Sequence, residues 1–384
     1  MTGRPRLGQE SLRTVAEAFE IPGRWRTSQR FGSGHINDTY LASFEDAGAI
    51  TRFVQQRINR SVFRDPDAVM ENVARVTEHQ RRVLLREGVP DPERRALTLV
   101  PARRGGFSFV DVSGEHWRTY RSIEGASSQD VIRSAADARA TAAAFGRFQG
   151  QLSDLPGERL HETIPRFHHA RARFEALLEA ARTDAHGRLG GCRRELDFVL
   201  GREPMVDRLL DLQGKGVLPE RITHNDTKLN NVLLDDRTGE ALCVIDLDTV
   251  MPGLVLYDFG DLVRTATSPT AEDERDLSLV AMQPEMFAAL AEGYLEGAGG
   301  FLTPAERAEL AFSGLLLTLV IGMRFLTDHL SGDGYFRVRR PGHNLDRCRT
   351  QLRLVESMEQ QREQMETIIE SVATPQVTSA SRHP

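Results

Sequence analysis

The chain has 384 residues, 40% hydrophobic and 27% charged, a globular composition long enough for a sizeable core and for two domains. Asp and Glu number 55 against 49 Lys and Arg; the net charge of −6 and isoelectric point near 6.0 give no electrostatic footprint for nucleic acid or an anionic membrane. Only Lys215 and Lys228 are lysines, so every other fixed cation is an arginine.

The three cysteines, Cys192, Cys243 and Cys348, lie far apart with no CxxC pair, which argues against a disulfide framework, a zinc site or a redox motif and fits a reducing cytoplasm. No apolar leader opens the chain. The longest apolar run, residues 311–323, is too short for a membrane span and meets Arg324, so it is expected to be a buried helix of a soluble protein.

In chain order, residues 28–58 alternate as short β-like runs around a glycine loop and the turn material of residues 45–48, which predicts antiparallel strands. Asp65-Pro66-Asp67 then places a capping aspartate before proline at a first helical position. The three- and four-residue spacing of Val69, Met70, Val73, Val76, Val83 and Leu84 predicts a helix with one buried face. A further β-rich stretch covers residues 96–123 and ends in WRTYRSIEG, where Gly125 breaks the run. From about Ser127 helical periodicity dominates, interrupted by the island RITHNDTKLNNVLLDDRTGEALCVIDLDTV, which reads as a polar loop followed by a β-hairpin. The last residues, 374–384, offer nothing to bury and are expected to form a frayed tail. This divides the chain into an N-terminal lobe, residues 1–122, and a mainly helical C-terminal lobe, residues 123–373.

The island carries the chemistry. Asn231 follows Asp226 by five residues, and Asp246 stands at the end of an apolar strand fifteen residues later. Phosphoryl transfer passes through a loose, metaphosphate-like state, so it needs oxygen ligands for Mg²⁺ and one carboxylate to orient the acceptor hydroxyl. Asp226 fits the base and Asn231 with Asp246 the metal ligands, a hard oxygen set that leaves room for water and phosphate. Any one of these residues alone would be ordinary turn chemistry; the combination at this spacing is not. The glycine loop of residues 31–37 adds Gly32, Ser33 and Gly34 as a phosphate cradle, with Asn37 in place of a third glycine because asparagine tolerates positive φ. Asp248, Asp258 and Asp261 could bind a second ion or cap helices, and for the last two the structural role is favoured.

These residues resemble the aminoglycoside phosphotransferase and choline kinase superfamily, which shares the protein kinase fold, and within it the N-acetylhexosamine 1-kinases. The stretches FGSGHINDTY, WRTYRSIEGAS, ITHNDTKLNNVLLDD and GMRFLTDHLSGDGYF carry the likeness. The resemblance implies an α+β bilobal fold, with an antiparallel β lobe carrying one helix and a larger helical lobe. It also implies an enzyme that transfers phosphate from ATP, with Mg²⁺, to the anomeric hydroxyl of GlcNAc or GalNAc, with Asp226 as base and Asp246 as the metal-binding aspartate. Arg324 and Tyr335 of the helical lobe, and His35 of the glycine loop, are the sugar contacts so implied, and the hinge near Ile123 supplies adenine contacts. Kinases place a strand lysine on the phosphates, yet no lysine precedes residue 215. Arg57 is the nearest cationic substitute, with Glu71 on the following helix to orient it. Residues 321–350 hold six arginines against three aspartates, which favours a neutral sugar over a polycationic acceptor. The alternatives are a related small-molecule kinase and a nucleotide-binding pseudokinase; no nucleic-acid or membrane partner is expected.

Overall fold

A computed structural model describes residues 7–32, 36–129, 132 and 134–373. Its N-terminal part is a five-stranded antiparallel sheet, made of β1 (Arg24–Arg30), β2 (Asp38–Asp46), β3 (Ala49–Arg57), β4 (Phe109–Val110) and β5 (His116–Arg121), in the order β1-β2-β3-β5-β4. The β2–β3 hairpin closes on Ala47 and Gly48, both at positive φ (48° and 84°), the pairing that matches the right-handed twist of the flanking strands. Helix α1 (Gln9–Glu17) covers one face of this sheet, where Leu12, Val15, Phe19, Tyr40, Phe44, Phe53 and Trp117 form a small separate core.

Helix α2 (Pro66–Arg86) starts as the sequence predicts: the Asp65 side chain accepts from the Ala68 N–H at 3.0 Å, and Pro66 occupies the first turn. Val69, Met70, Val73 and Val76 face inward and join Phe145 and Phe148 of the helix Ala135–Gln151 in one large core, so α2 is docked against the helical part of the chain. Asn72 ties the same face down, donating to the carbonyls of His161 (2.8 Å) and Val250 (3.0 Å).

The C-terminal part is a helical body with two small sheets at its base. Strand β6 (Ala126–Ser127) pairs with β8 (Val232–Asp235), which pairs with β9 (Ala241–Val244); β7 (Arg221–Thr223) pairs with β10 (Met251–Gly253). The apolar run ending at Arg324 is only part of a 21-residue helix, Leu310–Leu330. By length and hydropathy this helix could cross a membrane, but 89% of its apolar window is buried inside the protein. The fold is α+β, with the sheet lobe at one end and the helical lobe at the other. The tail, residues 374–384, lies outside the described residues, as do Ser33, Gly34 and His35.

Candidate active site

Strand β7 delivers the chain into the loop that begins at His224. That imidazole is fully buried between the edges of Phe145 and Phe148, at 5.2 and 5.7 Å between ring centres, and its Nε2 meets the Ile245 carbonyl at 2.9 Å. Asn225 takes a left-handed backbone, φ +65°, which asparagine accepts more readily than most residues, and its amide donates to the Thr249 carbonyl at 2.9 Å. The buried Asp258 carboxylate accepts the backbone N–H of His224 (2.8 Å), that of Asn225 (2.7 Å) and the Gln149 amide (2.6 Å). Burial pushes its carboxyl up to about 6 against those donors. Asp261 accepts from the Thr227 N–H at 3.0 Å and pairs with Arg264 at 2.8 Å. Both aspartates therefore brace the loop from behind.

Asp226 stands at the front of the loop with its side chain about a quarter exposed (27%). Asn231 donates its Nδ2 to Asp226 Oδ2 (2.9 Å) and to the Asp226 carbonyl (2.8 Å), while Lys228 Nζ lies 2.9 Å from Oδ1. Burial would raise the Asp226 carboxyl, but Lys228, His224 and Asn231 outweigh it and hold it below the usual range. In return Asp226 holds Lys228 above the ordinary range of lysine. Asp246 follows β9, also with positive φ (+61°), and opens the short turn of residues 247–249. Its carboxyl is pushed up to about 7, by desolvation and then by the like charges of Asp248 and Asp226, with Arg118 and Lys228 pulling the other way. Because the residue itself is exposed, the two carboxylates are the weightier cause. Asn231 and Lys228 bond Asp226 directly, and the Asp246 carboxyl lies within electrostatic reach of Asp226 and Lys228. The rarity of Lys228 in the chain and its place two residues after Asp226 were the signals that could have found it.

The proposed cationic pair does not form. Arg57 donates to Asp38 through Nε (3.1 Å) and Nη2 (2.5 Å) and lies 5.8 Å from the Trp117 ring centre, on the sheet face that packs toward α1. Glu71 is exposed and bonds His161 at 2.9 Å, because the face of α2 that docks inward carries Val69, Met70, Asn72 and Val73 instead. On the opposite face of the sheet, the buried cation among the described residues is Arg118 of β5. It is fully buried, cross-strand from Gln56, and its guanidinium bonds the Asp248 carboxylate. Asn37 is not at positive φ. Its amide instead bridges the lobes, donating to Asp248 Oδ2 at 2.5 Å and accepting the Asn59 N–H at 2.9 Å. Gly32 does take positive φ, +77°. Ile123, just past β5, is half-buried at the junction of the two lobes.

Arg324 and Tyr335 are brought together. The guanidinium lies 4.7, 5.6 and 5.5 Å from the ring centres of Phe167, Tyr335 and Phe336, and donates to the Tyr335 hydroxyl at 3.3 Å. This cluster adjoins the loop that begins at His224 through His168, which packs tilted against Phe167 and meets the Asn225 carbonyl through Nε2 at 2.9 Å. Burial, then the charge of Arg324, pushes His168 down to about 4, so it is neutral. Arg173 joins the wall, lowered to about 10 by burial and by Arg324, and neither arginine is ion-paired to a carboxylate among the described residues. The arginine excess of residues 321–350 is largely cancelled elsewhere: Arg340 pairs with Asp273 and Asp346, Arg347 with Glu272 and Arg349 with Glu195.

The donor set suits a nucleotide with a divalent ion. Asn231 commits its amide nitrogen to Asp226 and leaves Oδ1 without a hydrogen bond among the described residues, and Asp246 adds a carboxylate, which is the sparse all-oxygen set that Mg²⁺ shares with phosphates and water. The buried Tyr120 hydroxyl, on the same strand face as Arg118, has no hydrogen-bond partner among the described residues.

The model of the APH phosphotransferase enzyme family matches residues 27–310. The fold is similar to that of an aminoglycoside phosphotransferase from Alicyclobacillus acidocaldarius subsp. acidocaldarius DSM 446, at 12% identity and TM-score 0.56, over 96% of each chain. Spectinomycin phosphotransferase APH(9)-Ia, solved with ADP and spectinomycin, is similar at 12% identity and TM-score 0.52, over 96% of this chain and 99% of that one. A Plasmodium vivax ethanolamine kinase matches at 14% identity and TM-score 0.52, over 87% of this chain and 82% of its own. The chain, with its bilobal small-molecule kinase fold, belongs to the APH phosphotransferase enzyme family.

Proposed function

We propose that the protein is an ATP- and Mg²⁺-dependent kinase that phosphorylates the anomeric hydroxyl of N-acetylhexosamines. The observation that carries the acceptor class is the wall beside the catalytic loop: Arg324, boxed by three aromatic rings, and Arg173, with no carboxylate among the described residues paired to either. Two uncancelled guanidinium groups repel polyamines and quaternary amines, whereas they donate well to sugar and acetamido oxygens, and flat aromatic faces suit a pyranose.

Asp226 orients the acceptor hydroxyl. A carboxylate offers about four lone-pair sites, and Lys228 and Asn231 use only part of them, so one remains for the incoming O–H. As the acceptor oxygen bonds to the γ-phosphorus, the β–γ phosphoanhydride breaks, ADP leaves and the proton passes to Asp226. The anomeric hydroxyl is more acidic than an ordinary alcohol, so a carboxylate held below its usual range is basic enough and positioning does most of the work. Asn231 and Asp246 would hold Mg²⁺, which supplies charge neutralisation on the phosphates. Lys228, a compact cation beside the base, is placed to balance charge on the transferred group. Residues 1–122 then act as the nucleotide lobe and 123–373 as the acceptor lobe, and the three free, buried cysteines suit a cytoplasmic enzyme.

The test is ADP release with ATP, Mg²⁺ and a panel of hexosamines, hexoses, aminoglycosides and amino alcohols, followed by phosphorus NMR of the product. GlcNAc or GalNAc turning over to the 1-phosphate is the expected result; turnover confined to amines, or phosphate on another carbon, overturns the acceptor assignment.

A further inference from the structure

Arg118 is the least expected residue in the cleft. A fully buried guanidinium is costly unless its donors are met, and here they are divided: Nε (3.0 Å) and Nη2 (2.8 Å) donate to Gln56 Oε1, while Nη1 is given to Asp248. Gln56 is itself held by donating to Thr39 Oγ1 at 3.2 Å, so Thr39, Gln56 and Arg118 form a polar row across β2, β3 and β5 on the cleft face. Asp248 is closed from both sides, with Arg118 on Oδ1 and Asn37, at the exit of the glycine loop, on Oδ2. Its backbone carbonyl is tied as well, accepting from the Thr163 hydroxyl at 2.7 Å. The two sheet-lobe contacts of Asp248 thus come from β5 and from Asn37, just before β2, and Asp248 lies two residues from Asp246.

We propose that Arg118 is the phosphate-recognising cation of the sheet lobe, and that the Arg118–Asp248–Asn37 contact is an inter-lobe latch exchanged when a nucleotide phosphate chain enters. Gln56 fixes the guanidinium plane and leaves one edge to be traded between a protein carboxylate and a phosphate, two anions that arginine binds with the same fork. Adenosine, which carries no anion, leaves the latch shut; ADP and ATP open it. The inference rests on the reading of the cleft as a nucleotide site.

Binding measured in EDTA, by calorimetry with adenosine and ADP, isolates this contact from the metal. The wild-type protein is expected to bind ADP more tightly than adenosine. Asp248→Asn, which frees Arg118 of its competitor, keeps or strengthens ADP binding. Adding Arg118→Gln to Asp248→Asn removes both members of the buried pair together, so no charge is stranded, and weakens ADP binding about tenfold relative to Asp248→Asn while leaving adenosine unchanged. Equal ADP affinity in the single and double variants overturns the proposal. Hydrogen exchange of the wild-type protein gives a second measure that needs no variant: ADP, but not adenosine, alters exchange in peptides covering β5 and residues 36–46. An identical response to both ligands refutes the latch. Failure of the wild-type protein to bind either ligand refutes the nucleotide reading itself.

Discussion

Asp258 lies behind the reacting groups, so Asp258→Asn separates positioning from stability. Its carboxylate receives three donors, the backbone N–H groups of His224 and Asn225 and the Gln149 amide, and charge-assisted bonds of this kind contribute about 1.5–3 kcal/mol each. An asparagine turns one oxygen into a donor. Placed at Oδ2 it opposes the His224 N–H and a Gln149 amide whose own oxygen is engaged by Tyr294; placed at Oδ1 it opposes the Asn225 N–H. Either way at least one buried donor is stranded, at a cost of about 1–3 kcal/mol. A loss of about 2 kcal/mol lowers the melting point by roughly 2–3 °C for a chain of this length. The activity should suffer far more, because Asn225 is held at positive φ by these bonds and Asp226 follows it directly. We expect kcat to fall about 100-fold, as a displacement of about 1 Å in a reacting group would produce. Calorimetric melting and ADP release measured on the same preparation decide it: a variant within threefold of wild-type kcat, or one whose activity loss tracks unfolding, refutes the reasoning.

Asp226→Asn should lower kcat by at least about 10³-fold with ADP affinity, measured by calorimetry, within threefold of wild type; residual turnover above a tenth would remove the base assignment. Arg324→Met should raise KM for the sugar about tenfold and leave KM for ATP unchanged, and an unchanged sugar KM would move the acceptor elsewhere. Arg57→Met should leave KM for ATP within twofold while lowering the melting temperature by a few degrees, since Asp38 would keep only Arg30, at 3.0 Å, as a partner; a large rise in KM for ATP would restore Arg57 to the nucleotide site. His168, held near 4 in the folded protein, takes up a proton near 6.5 when unfolded, so its contribution to stability is full above pH 6.5 and is lost as pH falls toward 4. Urea unfolding should show wild type losing about 2 kcal/mol more than His168→Gln between pH 7.5 and pH 5, and parallel slopes would contradict a buried neutral imidazole.

Much of this site is legible in the letters because local chemistry decides it. The cap at Asp65, the turn at Ala47-Gly48, and a polar loop running into the β8–β9 hairpin are short-range events, and each forms where its residues predict. The role of the wall is harder to read from composition. The six arginines of residues 321–350 suggest a positive surface, but three of them are neutralised by Asp273, Glu272 and Glu195, residues distant in sequence, while the wall gains Arg173 and Phe167 from a different helix and its preceding loop. A count of charges along the chain finds the sign of the site without finding its members.

The face on which Arg57 lies is misread for a different reason, which is parity. On a pleated strand, neighbouring residues point to opposite faces, so choosing Arg57 rather than Gln56 reverses the side on which the charge is placed. In β3 the face is set by Phe53 and Gln55, which point toward the α1 core and carry Arg57 with them. In β5 the usual cue is missing, since residues 117–120 are all buried, with Trp117 in the outer core and Tyr120 in the inner one. A strand buried on both faces shows no alternation of polar and apolar residues, so an arginine within it looks out of place in sequence whichever way it points. What resolves it is the partner across the cleft: a guanidinium with no solvent must end on a carboxylate, and the carboxylate available to Arg118 belongs to the segment that also carries Asp246.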